Sequence, residues 1–157
     1  MEQEYLEHIR ELLHSGAVQR LRRFTHHKSV TRLEHSLYVS YRSYRLAKRF
    51  GWDSGAAARG GLLHDLFFYE WREIDPNRGW YITAHTRQAL EEAQARFALS
   101  DVERDIIVKH MWPLAPQLPR YRESYAVLLM DKYCACMEGL FLGKRKMKKL
   151  GLSALVG

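Results

Sequence analysis

Two cysteines and four prolines are all that 157 residues contain of either. Two thiols cannot build a disulfide framework, so a small secreted scaffold stapled by bridges is excluded. Cys134 and Cys136 stand two apart; on a helix they point in nearly opposite directions, and both read as small core residues rather than a pair or a shared ligand set. No apolar run approaches the roughly 20 residues needed to cross a bilayer, and the longest are interrupted by His, Asp or Arg. The opening Met1-Glu2-Gln3-Glu4-Tyr5 is acidic and polar, unlike a secretory signal, and a reducing, cytoplasmic location is the expectation. Repeats and low-complexity segments are missing. Alternating polar and apolar stretches are rare, which argues against a domain built on a sheet.

What is present is helical period. Apolar residues recur every three or four positions nearly throughout, predicting a single all-α domain. A short amphipathic helix is expected over Glu4 to Leu13, stopped near Gly16, and a second over Ala17 to Phe24. Thr25-His26-His27-Lys28-Ser29 reads as a polar break. The helix from about Thr31 to Phe50, stopped at Gly51, carries two apolar stripes, one with Leu33, Leu37, Tyr44 and Ala47 and one with His35, Val39, Leu46 and Phe50. Such a helix is packed on both sides and central. Asp53 or Ser54 can cap the next, in which Gly60 and Gly61 lower helix propensity and suggest a close approach by a neighbour.

Tyr69 to Tyr81 reads as a loop with Pro76, Asn77 and Gly79, rich in aromatics. Thr83 can cap a helix bearing His85, Ala89, Ala93 and Phe97. Ser100-Asp101-Val102-Glu103 is a capping box opening a helix with Val102, Ile106 and His110 on one face. Pro113, Pro116 and Pro119 end it and hold the following link extended. A last long helix is expected over about Tyr121 to Leu142. The domain is read as 1–143, followed by a basic tail over 144–157 that frays.

The net charge of +7 is partly concentrated in that tail, at Lys144-Arg145-Lys146-Met147-Lys148-Lys149. It reads as solvated, with nucleic acid as the sharper alternative partner. The remaining positive charge suits a phosphorylated substrate.

The residues that carry chemistry are polar groups stranded in apolar runs. His64 and Asp65 close the stretch Ala56-Ala57-Ala58-Arg59-Gly60-Gly61-Leu62-Leu63, and Asp131 interrupts Ala126-Val127-Leu128-Leu129-Met130. A buried carboxylate is costly unless something neutralises it. His35, His85 and His110 each lie on the apolar face of a separate segment, whereas His8, His14, His26 and His27 lie in polar or terminal stretches. One buried metal cluster accounts for all six stranded side chains. The nitrogen and oxygen donors, with no thiolate, favour iron, manganese, cobalt, nickel or zinc over a sulfur-ligated centre, and iron or manganese is the expectation. Six are too many for one ion with an open position and suit two divalent or trivalent ions.

The ordered set His35, His64-Asp65, His85, His110, Asp131 resembles the HD-domain superfamily of metal-dependent phosphohydrolases, in its dinuclear branch, over about residues 30 to 140. The resemblance implies an HD-type bundle of about six to seven helices. It implies that His35, His64, Asp65 and Asp131 bind one ion and that Asp65, His85 and His110 bind the other, Asp65 bridging, with His64 and Asp65 central to catalysis. It implies a phosphatase or phosphodiesterase acting on a nucleotide or dinucleotide. The same ligand order occurs in mixed-valent diiron oxygenases of that superfamily, a second reading. A third is a non-catalytic, metal-stabilised nucleic-acid-binding module. Many members carry a lysine three residues after the doublet, where this chain has Phe68. Phosphate contacts are therefore sought at Lys28, Arg32, Arg72, Lys109, Arg120 and Arg122, with Arg32 and Lys109 nearest the proposed ligands in sequence. Trp71, Trp80 and Trp112 are candidates to stack on a base.

Overall fold

The computed structural model describes residues 3–27, 29–69, 81–140 and 142–156. It is all-helical but for one two-stranded hairpin, with eight α-helices among the described residues. The expected loop from Tyr69 to Tyr81 falls almost wholly outside them. Helix α1 (Gln3–His14) buries Tyr5, Ile9, Leu12 and Leu13. The next helix is shorter than its sequence suggests. Ser15 caps α2 (Gly16–Arg20), and a 3-10 turn over Leu21–Arg23 follows. The polar break is the hairpin of β1 (Thr25–His27) and β2 (Val30–Thr31), antiparallel, with Thr25 opposite Thr31.

Helix α3 (Arg32–Arg49) is the central element, packed against α4 (Ser54–Leu63) and α7 (Arg122–Gly139). Thr31 opens it with a capping box. The Thr31 hydroxyl accepts from the Glu34 amide at 3.2 Å, and the Glu34 carboxylate accepts from the Thr31 amide at 2.7 Å. Asp53 caps α4, its Oδ1 accepting from the Ala56 amide at 2.8 Å. Small residues bring α3 and α4 together. A Cβ on Gly61 would lie 2.9 Å from the Ser40 Cα, and the Ser40 hydroxyl donates to the Ala58 carbonyl at 2.7 Å. Tyr5 of α1 donates to the same hydroxyl at 3.1 Å, locking α1 onto the pair.

Helix α5 (Tyr81–Gln94) begins two residues before the expected cap, so Thr83 lies inside it. Its buried Ala89 and Ala93 face the core with Phe97. Helix α6 (Asp101–Lys109) starts at the expected capping box of Ser100 and Glu103. The proline-bearing link to α7 is tied down by Asp105, whose Oδ2 accepts from the Arg120 amide at 2.9 Å and the Ser124 hydroxyl at 2.7 Å. Of the two cysteines Cys134 is buried, whereas Cys136 is exposed, because the far side of α7 meets solvent.

The basic segment does not fray. It forms α8 (Gly143–Lys149) and a 3-10 turn over Leu152–Leu155, and Met147 and Leu152 are buried in the main core. Two apolar anchors spaced five residues apart suffice to dock it. The exposed cations Lys144, Arg145, Lys148 and Lys149 remain on its outer side. Among the described residues no helix is long and apolar enough to cross a membrane.

Candidate metal centre

Six elements each deliver a polar side chain to one buried point. His64 and His110 arrive by the same local device. Each is the C-cap of its helix, α4 and α6 respectively. Each donates Nδ1–H to the carbonyl three residues back, Gly61 and Ile107, at 2.8 Å in both cases. That bond satisfies a helix-end carbonyl, fixes the tautomer and leaves Nε2 as a lone pair aimed into the site. The negative ends of two helix dipoles converge there as well, which favours a cation.

His35 lies in the first turns of α3, Asp131 and Glu138 share one face of α7, His85 comes from α5 and His26 from β1. His35 Nε2 is 3.1 Å from Asp131 Oδ1. His64 Nε2 stands 3.7 Å from that oxygen and 3.6 Å from Asp65 Oδ2. The other oxygen of the doublet, Asp65 Oδ1, faces a different pair, His110 Nε2 at 3.5 Å and His85 Nε2 at 3.8 Å. Those two nitrogens are 3.3 Å apart. All six side chains expected from the sequence thus meet, and all are buried.

The donor set fits a metal ion. Donors held about 2.0–2.2 Å from one ion lie roughly 3–3.5 Å from each other, close to the separations found here. His64 Nε2 is fully buried without a hydrogen-bond partner. Its lone pair faces two carboxylate oxygens, an arrangement that is repulsive unless positive charge sits between them. Three overlapping trios, His35–His64–Asp131, His64–Asp65–His110 and His26–His35–Asp65, have donor atoms within 4.8 Å of one another. No family model, curated protein or solved structure matches the chain. Its chemistry therefore rests on this geometry.

Three participants are not marked by the sequence pattern. Glu138, buried and seven residues beyond Asp131 on the same face of α7, accepts from His35 Nδ1 at 2.9 Å and from His26 Nδ1 at 3.2 Å. Its signal was the two-turn spacing from Asp131. His26 stacks on His35 with ring centroids 3.7 Å apart and planes 14° from parallel. It sat in a polar run with no period to mark it. Lys132 was also passed over; it donates to Asp131 Oδ2 at 2.9 Å and to the His110 carbonyl at 3.1 Å, with 42% of its side chain exposed.

The proposed phosphate contacts fare differently. Arg32 is fully buried, donating to the carbonyls of Phe67 at 2.7 Å and Tyr69 at 3.0 Å with its guanidinium 3.7 Å from the centre of the Phe67 ring. It braces the chain that follows the doublet. Lys109 is paired with Asp105 at 2.5 Å, one helical turn back. Lys28 and Arg72 lie outside the described residues, as do Trp71 and Trp80. Trp112 packs edge-on to Tyr125, 6.5 Å between ring centres.

Three buried carboxylates, Asp65, Asp131 and Glu138, face the histidines of the centre. Burial pushes His35 down, but its bonds to Asp131 and Glu138 outweigh this and raise its pKa to about 10. Burial and the charge on His35 push His26 down to about 4. Burial pushes Asp65 up, yet the positive charge that His64, His110 and His85 carry when protonated, in the absence of a metal ion, holds it well below the carboxylate range. Asp131 is held down against burial by His35 and His64, and Glu138 is kept at about 2 by His26 and His35.

The consequence for the metal-free protein follows by linkage. His35, raised, stabilises the fold fully below its ordinary 6.5, and that contribution fades as pH rises toward about 10. His26, lowered, stabilises fully above 6.5, and that contribution is lost as pH falls toward about 4. Glu138 adds a further loss between 4.5 and about 2. Chelator-treated protein is therefore expected to show its highest thermal midpoint near pH 6.5, falling on both sides. Loading metal should flatten the alkaline limb, because the ion already excludes the proton from His35. A midpoint rising steadily from about pH 6.5 to 9 without metal would contradict this balance.

Proposed function

We propose that the chain is a dinuclear metal-dependent phosphohydrolase of HD-domain type, a phosphatase or phosphodiesterase acting on a nucleotide or dinucleotide. The observation that carries this reading is the division of labour at Asp65. One of its oxygens faces the His35–His64–Asp131 side and the other faces His85 and His110. A carboxylate so placed is suited to bridge two cations. The ordered ligand motif adds support. Iron or manganese is favoured by imidazole and carboxylate donors in the absence of thiolate.

When bound, such a pair of ions supplies positive charge that acidifies a water and neutralises phosphoryl oxygens as negative charge grows on them. The chain's own residues do the rest. Asp65 sets the spacing of the two halves of the site. Glu138 and the carbonyls of Gly61 and Ile107 fix the ring orientations of His35, His64 and His110 before any ligand arrives. Lys132 sits beside Asp131 with its amine reaching solvent, and is the described cation best placed to meet a substrate phosphate.

The test is elemental analysis of protein purified without chelators, followed by a panel of phosphomonoesters, nucleotides, dinucleoside polyphosphates and cyclic dinucleotides. About two equivalents of iron or manganese and metal-dependent release of phosphate or nucleotide are expected. Fully metallated protein that is inert across the panel would refute the hydrolytic reading. Oxygen uptake by the iron-loaded form with a polyol or phosphonate would transfer the site to oxidative chemistry.

A further inference from the structure

Glu138 ties two histidines together, and only one of them belongs to the ligand set drawn from sequence. Both His26 and His35 bring Nδ1 to its carboxylate, at 3.2 Å and 2.9 Å. With its Nδ1–H donated there, the neutral His26 ring presents Nε2 as an acceptor. The two rings are stacked, 3.7 Å between centroids and within 14° of parallel. His35 Nε2 meets Asp131 Oδ1. His26 Nε2 instead faces Asp65 Oδ2 across 3.7 Å.

That arrangement is poorly suited to a shared ion. His26, His35 and Asp65 bring donor atoms within 4.8 Å of one another, but an imidazole lone pair lies in its ring plane, and one ion about 2 Å from both nitrogens cannot lie in two near-parallel planes of stacked rings. It is well suited to a water. Two acceptors separated by 3.7 Å can be spanned by the two hydrogens of a single molecule. A water there would sit against the bridging carboxylate, where the reacting phosphorus must come.

We propose that His26 is a positioning residue for the attacking water, its Nε2 and Asp65 Oδ2 taking the water's two hydrogens so that an oxygen lone pair is turned toward phosphorus. The inference rests on the hydrolytic reading above and goes beyond its ligand set. In the step itself the water oxygen forms a bond to phosphorus and the bond from phosphorus to the leaving oxygen breaks. One water proton ends on that leaving group. His26 orients the nucleophile; Glu138 holds His26. The short β1 strand serves this role by carrying His26 to within 3.7 Å of Asp65.

The test compares three variants on whichever substrate the wild-type holoenzyme hydrolyses. His26→Phe keeps a ring to stack on His35 and removes the acceptor. His26→Gln loses the stack and restores an acceptor near the position of Nε2. His26→Ala removes both. Expected results are a fall in kcat on the order of 10²-fold for the Phe and Ala variants, little change in KM, and partial recovery of kcat in the Gln variant. Metal content by elemental analysis should equal wild type in all three. Loss of metal in His26→Phe would show a ligand and overturn the proposal. Wild-type kcat in His26→Phe, or a Gln variant no better than Ala, would also overturn it while leaving the hydrolytic reading intact. A wild-type enzyme inert on every phosphate compound would remove both.

Discussion

Asp65→Asn is expected to purify with no more than one metal ion per chain and to lose hydrolysis by a factor on the order of 10³, equivalent to about 4 kcal/mol of transition-state stabilisation. The substitution changes little in volume. It removes the charge and replaces one of two acceptor oxygens with a donor amide. Each oxygen of Asp65 serves a different group of histidines, Oδ2 toward His64 and Oδ1 toward His85 and His110. An amide can satisfy only one side, and its N–H₂ would confront the other. The Nε2 atoms of His64, His85 and His110 then lack the anion that makes a cation stable between them. The fold should survive, because Asp65 lies beyond the end of α4 and makes no helix cap. Circular dichroism and the thermal midpoint of chelated protein check that point. Two retained ions with activity within tenfold of wild type would show that Asp65 does not link the two halves of the site.

The same residue illustrates what could be read from sequence. His35, His64, Asp65, His85, His110 and Asp131 were legible because each breaks an apolar helical face, and burying a polar group there needs a cause. The capping box at Ser100 and the glycine pair at 60 and 61 were legible because their chemistry is local. His26 was not, since a three-residue strand among polar neighbours has no period to betray its inward side. Glu138 lies on the face of α7 that Asp131 defines, but near the helix end, where an acidic residue is ordinarily solvated. Arg32 misled for a related reason. Its cationic type and place beside His35 suggested phosphate, whereas its partners are carbonyls 35 and 37 positions away that no spacing rule connects to it. In α8 the run of five cations obscured Met147, the buried apolar side chain of that helix.

Gly61→Ala is expected to destabilise the protein by about 1–3 kcal/mol, the usual range for overpacking. Helix propensity alone would favour alanine by about 1 kcal/mol, so the sign depends on space. The added Cβ would lie 2.9 Å from the Ser40 Cα and 3.2 Å from its amide nitrogen, both backbone atoms that cannot swing aside. Helices α3 and α4 must separate, and the Ser40 bond to the Ala58 carbonyl lengthens with them. At Gly60 the obstacle is the Ile106 side chain, its Cδ1 2.7 Å away, which can repack in part; Gly60→Ala should cost less. At Gly139, near the end of α7, nothing among the described residues lies within 4 Å of the added atom, and alanine there should be neutral or stabilising. The order Gly61 worst, Gly60 intermediate and Gly139 harmless is read from urea midpoints. The largest effect should also reach the metal centre. His35 rides on α3 and His64 ends α4, so forcing those helices apart by a few tenths of an ångström stretches a donor set whose tolerance is of that size. Gly61→Ala should therefore release metal to a competing chelator faster than Gly60→Ala. Equal release from the two variants would mean that the α3–α4 contact sets stability without setting the geometry of the site.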